Sequence, residues 1–171
     1  MKTKILFFAF FSMLVINQSS AQIIPFGFLK TCTSFERPAF TDDMAKKHFY
    51  VVEESAKKTT NKLMEGATFY CNEKERELGN AEIDVLSVMN GSNKIVEITF
   101  RKGSKHDYAK NYGDLYTQMN SIFNKLPAFQ SKKYNTEVSM FLKEKVYYYT
   151  YKVNDVPVIV ISNYKIEEEY F

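Results

Sequence analysis

Apolar and polar residues change their spacing several times along this chain, and each spacing predicts an element. Ala45, Phe49, Val52, Ala56 and Leu63 recur at three- and four-residue steps, with Thr59 completing the row. One apolar stripe at that period predicts an amphipathic helix. Thr41 is its expected N-cap, Asp42 and Asp43 suit the positive end of its dipole, and Gly66 is expected to end it. Tyr108, Tyr112, Leu115, Met119, Ile122 and Leu126 predict a second helix, opened by the Ser104-x-x-Asp107 cap pattern and stopped by Pro127. Elsewhere the period is two. A-T-F-Y-C, ending at Cys71, predicts a short strand. The runs A-E-I-D-V-L-S-V-M and K-I-V-E-I-T-F-R-K predict a hairpin turning at Asn90-Gly91. Val96, Ile98 and Phe100 alternate there with Glu97, Thr99 and Arg101, so one face is expected to be buried and the other wet. Three further strands are expected at about 135–142, 145–153 and 156–163.

The predicted fold class is α+β. Two helices pack on one face of a mainly antiparallel sheet, in the order α-β-β-β-α-β-β-β. The two halves start near Thr41 and Ser104, about 63 residues apart, which raises the possibility of a tandem pseudo-repeat. This order resembles the helix-plus-three-strand units of small bacterial envelope modules, PepSY-type and β-lactamase-inhibitor-like tandem folds among them. The resemblance lies in element order and carries no functional residue across.

The N-terminus adds a destination. Lys2 and Lys4 precede a 12-residue apolar run, Ile5 to Ile16, and Ser19 and Ala21 form a small-residue cleavage site. The run is shorter than the roughly 20 residues a membrane span needs. Residues 1–21 therefore read as a signal peptide cleaved after Ala21, and the protein as secreted or periplasmic. Residues 22–40, with Pro25, Gly27 and Pro38, read as an extended N-terminal arm, and residues 41–171 as a single domain. Twenty lysines against three arginines, with the A-Q junction, hint at a bacterial source. The formal charge of +3 falls to +1 on losing Lys2 and Lys4, which makes no electrostatic case for nucleic acid. The mature chain offers no membrane span. In an oxidising compartment the two cysteines, Cys32 and Cys71, are expected to form a disulfide.

The strands around K-V-Y-Y-Y-T-Y-K-V set the candidate sites. With two-residue turns at Lys143-Glu144 and Asn154-Asp155, Met140 faces Tyr147, Val138 faces Tyr149, and Val158 and Val160 face Tyr151 and Tyr149. Tyr147, Tyr149 and Tyr151 then point toward the helices. With Tyr112 and Leu115 they would line any cavity between helices and sheet. Phe141, Val146, Tyr148, Ile159 and Ile161 would face outward as an apolar patch that fits a partner protein, unless residues 22–40 cover it.

Catalytic motifs are scarce. His48 and His106 belong to no metal-spaced cluster, so no metal or cofactor is expected. Ser104, His106 and Asp107 read as a helix start, since neighbours on one turn point different ways. Glu73, Glu75 and Glu77 alternate with Lys74 and Arg76 and read as a solvated loop rather than a calcium site. The end, E-E-E-Y-F, reads as a frayed charged tail. Three functions follow in order: a non-catalytic module binding an unknown protein, a small extracellular hydrolase using acidic residues, and a carrier of a small apolar ligand.

Overall fold

The computed structural model of the chain describes residues 23–52, 62–73, 82–101 and 108–171. The expected signal peptide, Ala56, Thr59, Glu75, Glu77, Ser104, His106 and Asp107 lie outside the described residues.

The N-terminal arm is helical and packed, not extended. Phe26–Thr31 forms α1, Cys32–Ser34 adds a 3₁₀ turn, and Arg37–Lys46 forms α2. Pro38 opens α2, where an amide would have no helical partner anyway. The first helix thus starts before Thr41. It ends at Lys46, well short of Gly66, because His48 takes a left-handed φ of 61° and turns the chain. Tyr50–Val51 leaves as the short strand β1. β2 (Thr68–Cys71), β3 (Ile83–Asn90) and β4 (Asn93–Phe100) follow as expected. Helix α3 (Tyr108–Ile122) is followed at once by strand β5 (Asn124–Ser131), so Leu126 and Pro127 belong to a strand. β5 is an edge strand, and its pairing is irregular between Leu126 and Phe129. There a proline removes no ladder bond. β6 (Thr136–Lys143), β7 (Val146–Val153) and β8 (Val156–Ser162) close the sheet.

The described residues form an α+β fold with an eight-stranded antiparallel sheet in the order β1-β2-β3-β4-β8-β7-β6-β5. Two meanders, β1 to β4 and β5 to β8, meet through their last strands. The inner hairpins have one design: Ile83–Asn90 and Val146–Val153 lie 63 positions apart, and so do Asn93 and Val156. Glu97 pairs with Val160, which is its own counterpart 63 positions on. A pseudo-twofold axis therefore passes through the Glu97–Val160 pair. Four counterpart pairs keep their character: Ser87 with Thr150, Val96 with Ile159, Ile98 with Ile161, Thr99 with Ser162.

Both faces of the sheet are covered. Val85, Ile98, Phe100, Phe141, Tyr148, Ile159 and Ile161 pack under the helices, against Phe28, Leu29, Phe40, Met44, Leu115 and Met119. Phe69, Leu86, Met140, Tyr149, Tyr151 and Val160 pack on the opposite face under Met64, Ala67, Ile166 and Phe171. Lys94 reaches across from β4 to Glu36 at 2.7 Å and ties the start of α2 to the sheet.

Candidate functional site

The burial of the second sheet face reverses the expected assignment of the C-terminal strands. Phe141, Tyr148, Ile159 and Ile161 are 0%, 1%, 0% and 0% exposed, and Val146 packs against the same core. They are not an outward patch. Ile24, Phe28 and Leu29, from the segment expected as an arm, share that core and cover them. The expected cavity lining is also split by the sheet. Tyr112 and Leu115 lie on the helix side, while Tyr147, Tyr149 and Tyr151 lie on the far side. The tyrosines do point into a core, but not toward the helices. Alternation fixes which residues share a face and leaves open which face the helices cover.

Cys32 and Cys71 are both buried and not bonded to each other, so the expected disulfide is absent. Cys32 sits in the helix-side core and Cys71 in the core on the other face, with the sheet between them. The Cys71 thiol donates to the Glu73 carbonyl at 2.7 Å. Burial pushes the Cys32 thiol far above its usual range, which makes it a poor nucleophile. His48 is exposed. Among the described residues no three metal-ligating side chains group together.

What the second face does contain is an aromatic groove filled by the chain's own C-terminal segment. β8 ends at Ser162, and Asn163 is clamped to the β3–β4 turn. Its amide reaches the Lys94 carbonyl, its side-chain oxygen accepts from the Lys94 amide, and its side-chain nitrogen donates to the Ser92 carbonyl. From that clamp, residues 164–171 cross the sheet as a strap. The Ile166 amide donates to the Tyr149 hydroxyl at 2.7 Å. The Phe171 ring lies 4.8 Å from Tyr149, 5.6 Å from Tyr151 and 5.6 Å from Phe129, centroid to centroid. The Phe171 main-chain oxygen accepts from the Ser131 hydroxyl and from the Lys133 amide. Between these anchors Glu167, Glu168 and Glu169 are exposed, and a hollow of about 400 Å³ opens along Lys165–Glu169. The E-E-E-Y-F end is thus pinned at Phe171, not frayed, because an aromatic residue at its tip finds three rings to pack on. Burial, opposed by the hydrogen bond from Ile166, pushes the Tyr149 phenol up to about 12. It stays neutral and can accept.

The same turn that holds Phe171 reaches toward a polar floor. Tyr134, whose amide donates to the Ser131 hydroxyl, stacks on Tyr151 at 5.2 Å. Beyond Tyr151 lie Glu97 on β4 and Asp84 on β3. Asp84 pairs with Thr99 and Glu97 with Leu86, so the two acids are diagonal neighbours on one face, within about 8 Å at Cβ. Asp84 is wholly buried and ion-paired with Arg101. Burial pushes the Glu97 carboxyl up to about 7; Lys133 and Arg101 draw it down, and Asp84 raises it further. The alternation of β4 predicts a wet face for Glu97. The one signal against that was its place in a strand whose counterpart, Val160, is aliphatic. No protein-family model, curated protein or solved structure matches this chain.

Proposed function

We propose that this chain is a secreted or periplasmic, non-catalytic binding module, and that its ligand is an extended peptide segment of a partner protein with an aromatic anchor. The observation that carries this reading is the seating of residues 164–171. The strap lies across the Tyr149–Tyr151 row as a bound peptide would: one ring in an aromatic pocket, main-chain groups held by Ser131, Lys133 and Tyr149. Extended peptides are recognised by this division of labour, main-chain bonds for affinity and pockets for specificity. In the resting chain the strap occupies the groove, and a partner segment competes with it.

The test is a titration of a chain ending at Asn163 with the synthetic peptide Y-K-I-E-E-E-Y-F. We expect saturable binding in the micromolar range and none with the peptide's final Phe replaced by Ala. A folded, truncated chain that binds neither peptide would end this reading. Should truncation unfold the chain, the full-length Phe171→Ala variant, which keeps the strap but empties the pocket, takes the same peptide.

A second reading, a small hydrolase, draws on the Asp84–Glu97 pair. Acid–base enzymes hold two carboxyl groups in unlike environments, and these two are so held: one ion-paired with Arg101, one raised to about 7. Hydrolysis of any chromogenic glycoside or ester by the wild type, lost in Glu97→Gln, would favour it over the binding module.

A further inference from the structure

Resting on the groove reading above, we propose that the groove selects a partner segment by spacing: an aliphatic residue, four polar residues and then an aromatic one, with the middle bent into one 3₁₀ turn. The strap shows the pattern. Ile166 is 2% exposed and Phe171 is 3% exposed, and both join the core on the far face of the sheet. Glu167, Glu168 and Glu169 between them are exposed, and Tyr170 is half-buried. Residues five apart on a straight strand point to opposite faces. They share a face only if the chain turns between them. Glu167 is still extended, with φ −68° and ψ 145°, and Glu168–Tyr170 then makes the 3₁₀ turn. Inside it the Tyr170 amide donates to the Glu167 carbonyl at 3.2 Å and the Phe171 amide to the Glu168 carbonyl at 3.1 Å. The segment thus satisfies these amides itself and brings two anchors down on one side.

Tyr149 sets the distance between the anchors. Its hydroxyl accepts from the Ile166 amide at 2.7 Å, and its ring lies 4.8 Å from the Phe171 ring, centroid to centroid. One rigid side chain therefore touches both anchors. It is wholly buried, and β7 holds it between Met140 on β6 and Val160 on β8, so it does not shift to follow a segment of another length. At the aromatic end Phe129 and Tyr151 complete the seat, and Ser131 and Lys133 hold the main-chain oxygen of Phe171. A segment one residue shorter or longer seats one anchor and swings the other off the sheet. The residues between the anchors face solvent, so the groove is indifferent to their charge. Its specificity lies in two pockets and the interval between them.

Fluorescence titration tests this on the full-length chain carrying Ile166→Ala and Phe171→Ala, which empties both seats and keeps every other residue. The probes are fluorescein-labelled Y-K-I-E-E-E-Y-F, the same peptide with one Glu removed or one added, and a version with Gln in place of all three Glu. The first and last should bind within about threefold of each other, and the shortened and lengthened peptides roughly tenfold more weakly or worse, the loss of one buried anchor. Equal binding at all three spacings would overturn the spacing rule and leave the groove reading standing. No binding by any peptide would remove both. Should the double variant fail to fold, one Glu is removed from or added to the strap of the otherwise unaltered chain, and amide exchange is read by NMR. The reporters are the Ile166 amide, bonded to Tyr149, and the Lys133 amide, bonded to Phe171. Protection should fall roughly tenfold at one or both of them. Wild-type protection at both would overturn the rule.

Discussion

Glu97 is one of the residues at which this chain departs from its own symmetry, with Asp84, Met89 and Lys94, whose counterparts are Tyr147, Lys152 and Pro157. The counterpart of Glu97 across the pseudo-twofold axis is Val160, which fills the same kind of position with methyl groups. An acid there is not required by the fold, and even half-buried, as its side chain is, it has a cost. The sign of that cost follows from the direction of the shift. In the folded chain the carboxyl titrates near 7, against an ordinary value of 4.5, so the folded state holds a proton that the unfolded state has released. Glu97 leaves stability untouched below about pH 4.5, lowers it as pH rises from 4.5 to 7, and lowers it fully above that. Glu97→Val should therefore raise stability at pH 8 by roughly 1–3 kcal/mol and by little at pH 4.5. Urea midpoints at the two pH values check this; an equal gain at both would mean that the group does not titrate in the folded state. In the sequence Glu97 looked like any solvent-facing residue of an alternating strand, because alternation marks two faces without saying that both are covered.

At the scale of elements, the hairpins show what local chemistry decides. Both C-terminal turns are two-residue turns with positive φ at each position: 52° and 67° at Glu144 and Lys145, 49° and 65° at Asn154 and Asp155. Asn-Asp is a residue pair that accepts this backbone, and the β7–β8 register was predicted residue for residue: Tyr151 opposite Val158, Tyr149 opposite Val160. The β6–β7 turn carries no such signal. It lies one residue beyond Lys143-Glu144, so Met140 pairs with Tyr149 and not Tyr147. A one-residue displacement of a two-residue turn moves the pairing by two, which leaves every side chain on its face. Glu and Lys are poorly suited to left-handed backbone. Replacing Glu144-Lys145 by Asn-Gly should stabilise the chain by about 1 kcal/mol, read as a shift in the urea midpoint at constant slope. No gain would mean that the strands set this turn without strain. The first helix was misplaced for a related reason. Its stripe continued in sequence past Lys46, but the left-handed His48 stops the helix, and Phe49 reaches the same core from the chain after the turn.

For the molecule as a whole, the deciding feature is a sheet buried on both faces. It places Cys32 and Cys71 in different cores, and it turns two cysteines that suggested a bridge into two buried thiols. Reductant should accordingly leave the melting temperature unchanged, and thiol reagents should modify neither cysteine until the chain unfolds. A reductant-sensitive melting temperature would require the two thiols to meet, which this sheet does not allow. The same architecture removes the partner surface expected on Phe141, Tyr148, Ile159 and Ile161, which are buried under the helices. Among the described residues the large apolar side chains still exposed are Ile23, Tyr50, Val51 and Ile122.

The sequence alone determined the elements whose signals are local: the Asn90-Gly91 hairpin, the alternation of β4, β6, β7 and β8, the helix from Tyr108, and the α+β class that their order implies. Periodicity and turn chemistry act within a few residues and can be read there. Tertiary structure decided everything that depends on which surface meets which. It put the helices over Phe141, Tyr148, Ile159 and Ile161 and the chain end over the tyrosines, separated the cysteines, and brought Glu97 and Asp84 together on one face of neighbouring strands, beside Arg101. Alternation is indifferent to which face is covered. That choice belongs to contacts between residues far apart in sequence, and it is these contacts that make the candidate site.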